Sequence, residues 1–205
     1  VSDIFTHQIE IYTSSLLISG AYDMAIYRRL TDAVSGEQRA YVPMRDATVA
    51  PLERQQQAQR VPHLLVDRED IWLVAGLEEA APPPDYLPPE PPRGLVPITA
   101  MFFTDAFVVR ATLYKRPDLN LAEALERQTN EYLALTSVQV FPLTGGFAPV
   151  TRAVAALLRA RIVAVYQVGE QPRPAPAPTS APGQPADDTP VGPAVLQDDV
   201  PQPQG

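Results

Sequence analysis

The chain has 205 residues and a formal net charge of −8. It contains no cysteine, which excludes disulfide frameworks and thiolate chemistry, and its acidic balance disfavours nucleic acid as a partner. No apolar run approaches the roughly 20 residues of a membrane helix, and Asp3, Glu10 and Asp23 occupy the place of a leader's basic and apolar regions, so a cytoplasmic protein without a membrane partner is expected.

In chain order, Ile9 to Tyr12 and Leu16 to Tyr22 are short apolar runs around Thr13-Ser14-Ser15, the pattern of a hairpin. One or two helical turns follow at Leu30-Thr31-Asp32-Ala33-Val34, with Gly36 as a stop. A long strand spans Tyr41 to Val49 and ends by Pro51, which cannot donate to a ladder. Pro62 to Val66 and Ile71 to Leu77 read as a second hairpin about the turn Asp67-Arg68-Glu69-Asp70. Of the 24 prolines, eight lie between Pro82 and Pro97, which makes 81–96 a stiff, extended linker.

The order then repeats. Ile98 to Phe103, the turn Thr104-Asp105-Ala106 and Phe107 to Tyr114 form a hairpin pattern. Leu121, Ala124 and Leu125 recur at helical spacing, with Asn120 as N-cap and Glu123 in capping-box position. Tyr132 to Leu143 repeats the long strand. Ala153 to Arg161 has the composition of a helix, but its counterpart PHLLVDRED reads as strand and turn, and the same is expected here. Ten further prolines between Pro172 and Pro203, with no aromatic residue among them, predict a disordered acidic tail over 171–205.

The two series coincide at a constant offset of 91 positions. Without a gap from residue 12 to residue 77 the offset yields ten identities, where chance gives about four or five at ordinary composition. YVPMRDATVAPL (41–52) lies over YLALTSVQVFPL (132–143). The expected fold class is therefore mainly β with short helices: two tandem small bent-sheet or partly open β-barrel modules, each strand–strand–helix–strand–strand–strand, plus a disordered C-terminal tail. The modules are assigned to 1–80 and 97–170, and their packing is expected to be face to face with pseudo-twofold symmetry, with independent beads as the alternative. Residues 1–80 carry seven basic and twelve acidic groups, and residues 97–170 carry seven and six, so a small basic patch fits only the second module.

An apolar hairpin followed by RLTDAV and then YVPMRDATV resembles a family of small uncharacterised bacterial β-rich domains. The resemblance covers about 70 residues of each copy and is weaker in the second, where Ser137-Val138 replaces Asp46-Ala47. It implies no activity. The outline is also similar to Sm-like barrels at the level of fold analogy, although here the helix sits inside the module.

No set of residues commits to a reaction. His7 and His63 are the only imidazoles and match no metal-ligand spacing, so neither metal nor cofactor is expected. Asp67, Glu69 and Asp70 around Arg68 read as a solvated turn, and Arg45-Asp46 as an exposed pair. Thr144-Gly145-Gly146-Phe147 lacks phosphate-loop spacing, and Ser14, Ser15 and Ser19 lack a nucleophile-elbow pattern. The candidate interaction surface comprises Trp72, Phe102, Phe103 and Phe107, with the cations Arg110, Lys115 and Arg116. Since strand side chains alternate faces, Phe102 and Phe103 cannot share one core. A non-catalytic binding or assembly protein with a protein partner is expected, rather than an enzyme. The alternatives are a small-ligand or nucleotide sensor with its pocket between the modules, and an Sm-like RNA-binding protein. Ala194-Val195-Leu196 in the tail is a candidate docking peptide.

Overall fold

A threonine opens each hairpin. Thr13 Oγ1 accepts from the backbone N–H of Ser15 at 3.2 Å and Leu16 at 2.9 Å, and Thr104 Oγ1 accepts from Ala106 at 3.3 Å and Phe107 at 3.0 Å. A short hydroxyl satisfying two turn donors replaces the glycine that tight turns often use. The computed structural model describes residues 4–87, 94–144 and 149–169. The tail and its docking peptide, the middle of the linker and the Gly145-Gly146 turn lie outside the described residues.

The first half comprises β1 (Phe5–Tyr12), β2 (Leu16–Met24), α1 (Leu30–Ser35), β3 (Tyr41–Pro51), β4 (Gln59–Asp67) and β5 (Leu73–Glu78). The second comprises β6 (Val96–Phe103), β7 (Phe107–Lys115), α2 (Leu121–Glu126), β8 (Tyr132–Pro142), β9 (Val150–Leu158) and β10 (Ala164–Gln167). Each element of the second half begins 91 residues after its counterpart. The Asn120–Glu123 capping box forms as expected, with both bonds at 2.9 Å. Gly36 ends α1, its N–H reaching Asp32 O at 2.9 Å. Ala153–Arg161 is strand and 3₁₀ turn, not helix.

The protein is mainly β, and among the described residues ten strands form one open antiparallel sheet in the order β10-β6-β7-β8-β9-β5-β1-β2-β3-β4. Each half contributes its strands in the same internal order. The hairpin expected from β4 and β5 does not form: β4 pairs with β3, and β5 pairs with β1. Between them a 3₁₀ turn at Arg68–Asp70 makes a corner. Arg68 N–H bonds Ala40 O at 2.9 Å before β3, and Trp72 N–H bonds Tyr12 O at 2.9 Å at the end of β1. Strands that flank β2 thus meet at one corner, so the sheet curls sharply within the half. The corner at Arg159–Arg161 repeats this, with Arg159 N–H on Glu131 O at 3.0 Å and Val163 N–H on Phe103 O at 2.8 Å.

A bulge aids the curl. Asp46 and Ser137 take left-handed backbone angles, φ 49° and 51°, beside register shifts between Ser19 and Ala21 and between Arg110 and Thr112. Such a residue drops out of the ladder and sharpens the local twist. Pro62 lies where Asp46 leaves the ladder, so its missing N–H is not needed there.

The halves meet edge to edge, not face to face. β5 pairs with β9 through Leu73↔Leu157, Val74↔Ala156 and Ala75↔Ala155. Backbone pairing imposes this geometry: β5 and β9 are sheet edges, and an edge satisfies its N–H and C=O groups only along its own plane. Alternation then sends Leu73, Ala75, Ala155 and Leu157 into the core of the second half, and Val74, Ala156 and Leu158 into that of the first. Strands covered on both faces carry unbroken apolar runs, which accounts for the Ala-Ala-Leu-Leu of β9.

Candidate functional site

The expected interaction residues separate into three groups. Phe102 and Phe107 are fully buried in the core of the second half, and Trp72 is buried beside Phe107 and Tyr12 at the junction. These three are packing residues and present no open platform. Phe103 points the other way, half-buried, its ring stacked on Tyr166 with centroids 6.1 Å apart. Arg110 is exposed and bonds Gln139 at 3.3 Å. Lys115, five residues along β7, is on the opposite face and is held by Leu119 O at 2.5 Å. Arg116 pairs with Asp118 at 2.9 Å. The three cations therefore make no common patch.

Of the histidines, His63 is exposed on β4 and His7 is fully buried. Ala80 N–H donates to His7 Nδ1 at 3.1 Å, so the neutral ring keeps its proton on Nε2 and donates to Arg28 O at 3.0 Å. His7 thereby ties β1 to two loops. Among the described residues no group of three or more His, Cys, Asp or Glu can hold a metal ion, and no helix is long and apolar enough to cross a membrane.

A buried polar cluster seals the β5–β9 junction. Arg152 on β9 donates to Glu10 on β1 through Nε at 2.9 Å and Nη2 at 2.6 Å, and the Tyr12 hydroxyl donates to the same carboxylate at 3.0 Å. Burial, followed by the Glu10 charge, pushes the Tyr12 phenol well above its ordinary range, and the Glu10 bond raises Arg152. The Tyr132 hydroxyl donates to Ile71 O at 3.2 Å, and burial, then Glu131, pushes it up to about 12. Arg68 pairs with Glu131 across the same seam. Arg161 lies 5.1 Å from the Trp72 ring centroid, a cation–π contact. Pairing across 142 positions, as in Arg152–Glu10, leaves no local trace in a sequence.

Two hollows bear on small-ligand binding. The seam cavity between Ile9, Val74 and Tyr132 measures about 10 Å³, room for about one water molecule. A larger open hollow of about 550 Å³ is lined by Arg110, Thr112, Ser137, Gln139, Thr151 and Arg152, the last of which reaches Glu10 across the seam.

The remaining surface of note is the pair of outer strands. Among the described residues, β4 and β10 pair on one side only. Tyr41 and Leu65 are exposed at the β4 end, and Val163 and Tyr166 at the β10 end. Residues 162–168, Ile-Val-Ala-Val-Tyr-Gln-Val, carry no charge, although charged side chains commonly guard open edges. Compared with family models, curated proteins and solved structures, the chain matches none.

Proposed function

We propose that the chain is a non-catalytic binding or assembly protein, built on a duplicated small β module that associates through its strand edges. The observation that supports this is the β5–β9 junction, where one half docks on the other by backbone pairing and side chains of both halves enter both cores. The recurrence of every element start at an offset of 91 residues supports the duplication. Hydrogen exchange on the purified chain and on the chain in its native extract tests the proposal. Protection of residues 59–67 and 163–168 in the extract is expected. Turnover in a broad hydrolase and transferase screen, lost on a single substitution, overturns it.

A small-ligand sensor is the second reading, favoured by the hollow beside Arg110. It predicts a raised melting temperature with a specific small molecule, abolished by Arg110→Ala. Without such a shift the first proposal stands alone.

A further inference from the structure

We propose that the two outer strands bind a second copy of this chain head to tail, β4 of one copy pairing with β10 of the next in the register of the internal junction. This rests on the association proposed above and names its partner. The internal junction joins β9, the counterpart of β4, to β5, the counterpart of β10. The chain therefore shows one completed junction and, at its two ends, both halves of another.

The backbone groups match. At the internal junction Leu158 N–H bonds Trp72 O at 2.8 Å, and the pair Val74↔Ala156 follows in the same register. On β4, Arg68 N–H bonds Ala40 O, so with alternate residues turned toward β3 the N–H and C=O of Leu65 and Asp67 face outward. On β10 the bond from Val168 N–H to Thr99 O sets the phase that turns Val165 outward. Shifting the internal register by 91 places Leu65 opposite Val165 of the second copy, Leu64 opposite Tyr166 and Val66 opposite Ala164. The Asp67 N–H then meets the carbonyl of Val163.

The side chains match as well. Tyr132, Ala156, Trp72 and Ala75 are 3%, 0%, 6% and 0% exposed at the internal junction, whereas their counterparts Tyr41, Leu65, Val163 and Tyr166 are 53%, 66%, 67% and 52% exposed. The Tyr41 hydroxyl takes the place of that of Tyr132, which donates to Ile71 O, and so reaches Ile162 O of the second copy. Leu64-Leu65-Val66 is an unbroken apolar run like that of β9, as a strand covered on both faces carries. The tail is a poor occupant for the edge, because its ten prolines between Pro172 and Pro203 supply no N–H donors. The two surfaces differ from each other, so the contact is heterologous and yields a closed ring or an open filament.

Sedimentation and native mass spectrometry of the full chain test this, with Leu65→Glu blocking one edge and Val163→Glu the other, both at exposed positions. The wild type is expected above its monomer mass of 22.4 kDa, each variant as a monomer, and an equimolar mixture of the two as a one-to-one dimer through the edges left intact. A wild type that is monomeric at about 100 μM, a concentration at which even a complex of micromolar Kd is formed, overturns the proposal. So does a variant that dimerises by itself, because only a twofold contact permits that. A monomeric wild type whose outer strands still gain protection in the native extract overturns this inference and leaves the proposed function standing.

Discussion

Replacing Arg152 by methionine perturbs the seam between the halves at its most polar point. Glu10 is buried and accepts three hydrogen bonds, two of them from Arg152. Methionine keeps most of the volume and removes the cation, which leaves a buried carboxylate with the Tyr12 hydroxyl as its remaining donor. Breaking a buried pair in this way costs about 3–5 kcal/mol. The Arg152 side chain is 23% exposed and that of Glu10 is 11% exposed, so water relieves part of the loss and about 2 kcal/mol is expected. With a urea slope of about 2 kcal/mol per molar, the unfolding midpoint falls by about 1 M. The assay is urea denaturation followed by far-UV circular dichroism at fixed protein concentration. The double variant Glu10→Gln/Arg152→Met isolates the mechanism, because a neutral amide no longer demands the cation, and at least half of the lost stability returns. Losses that simply add in the double variant, or a single variant within about 0.5 kcal/mol of wild type, refute the reasoning.

Tyr132→Phe removes the hydroxyl that donates to Ile71 O and is expected to cost about 1 kcal/mol, read as a lowered melting temperature. Glu37 accepts from Arg39 and from the Tyr22 hydroxyl at 2.8 Å. The Arg39 bond is the chief reason its carboxyl falls from 4.5 to about 2. A carboxylate lowered on folding contributes stability that is complete above 4.5 and lost as pH falls through about 2. Wild type should therefore lose about 1 kcal/mol more than Glu37→Gln across that interval, a figure discounted for the exposed Arg39. At the left-handed bulge, Ser137→Gly should be neutral or slightly stabilising and Ser137→Val should cost about 2 kcal/mol, compared by chemical denaturation.

Local chemistry was legible in the sequence, including the β1–β2 and β6–β7 hairpins, and pairing between strands not joined by a tight turn was not. The threonine turns, the Asn120–Glu123 box and the stop at Gly36 depend on neighbours within a few residues, and the structure places them as expected. Asp67-Arg68-Glu69-Asp70 looked like a hairpin turn because a turn motif says that the chain changes direction, not which strand it next joins. The corner instead sends β5 to β1 and β9, across the half from β4. Face-to-face packing was expected as a way for one module to cover the open edges of the other; the edges are instead covered by backbone pairing of β5 with β9, which nothing in apolar alternation marks. The helix-like composition of Ala153–Arg161 has a related cause, since a strand buried on both faces loses its period of two, and only the repeat reads the run as the strand and turn that it is. His7 was set aside as an unmatched imidazole; its partners, Arg28 and Ala80, stand 21 and 73 residues away.

In the proposed association the contact made within the chain by tethered halves is made again between untethered copies. Across the internal junction the linker holds the halves at an effective concentration on the order of millimolar, so that contact tolerates a buried ion pair whose desolvation offsets much of its attraction. Between separate chains no tether helps. At the counterpart positions Arg152 becomes Val61 and Glu10 becomes Met101, both half-buried, while Ala156 becomes Leu65 and Ala75 becomes Tyr166. These four exchanges trade charge or small volume for apolar area, against the smaller Val163 and Ala164 in place of Trp72 and Leu73, so the contact between chains rests on apolar burial and backbone pairing rather than on an ion pair. Association between chains is therefore expected to withstand about 1 M sodium chloride, where charges are screened beyond about 3 Å, with its sedimentation profile unchanged or shifted to higher mass. Dissociation by salt would mean that surface ion pairs hold the copies together, and the register drawn from the internal junction would then be wrong.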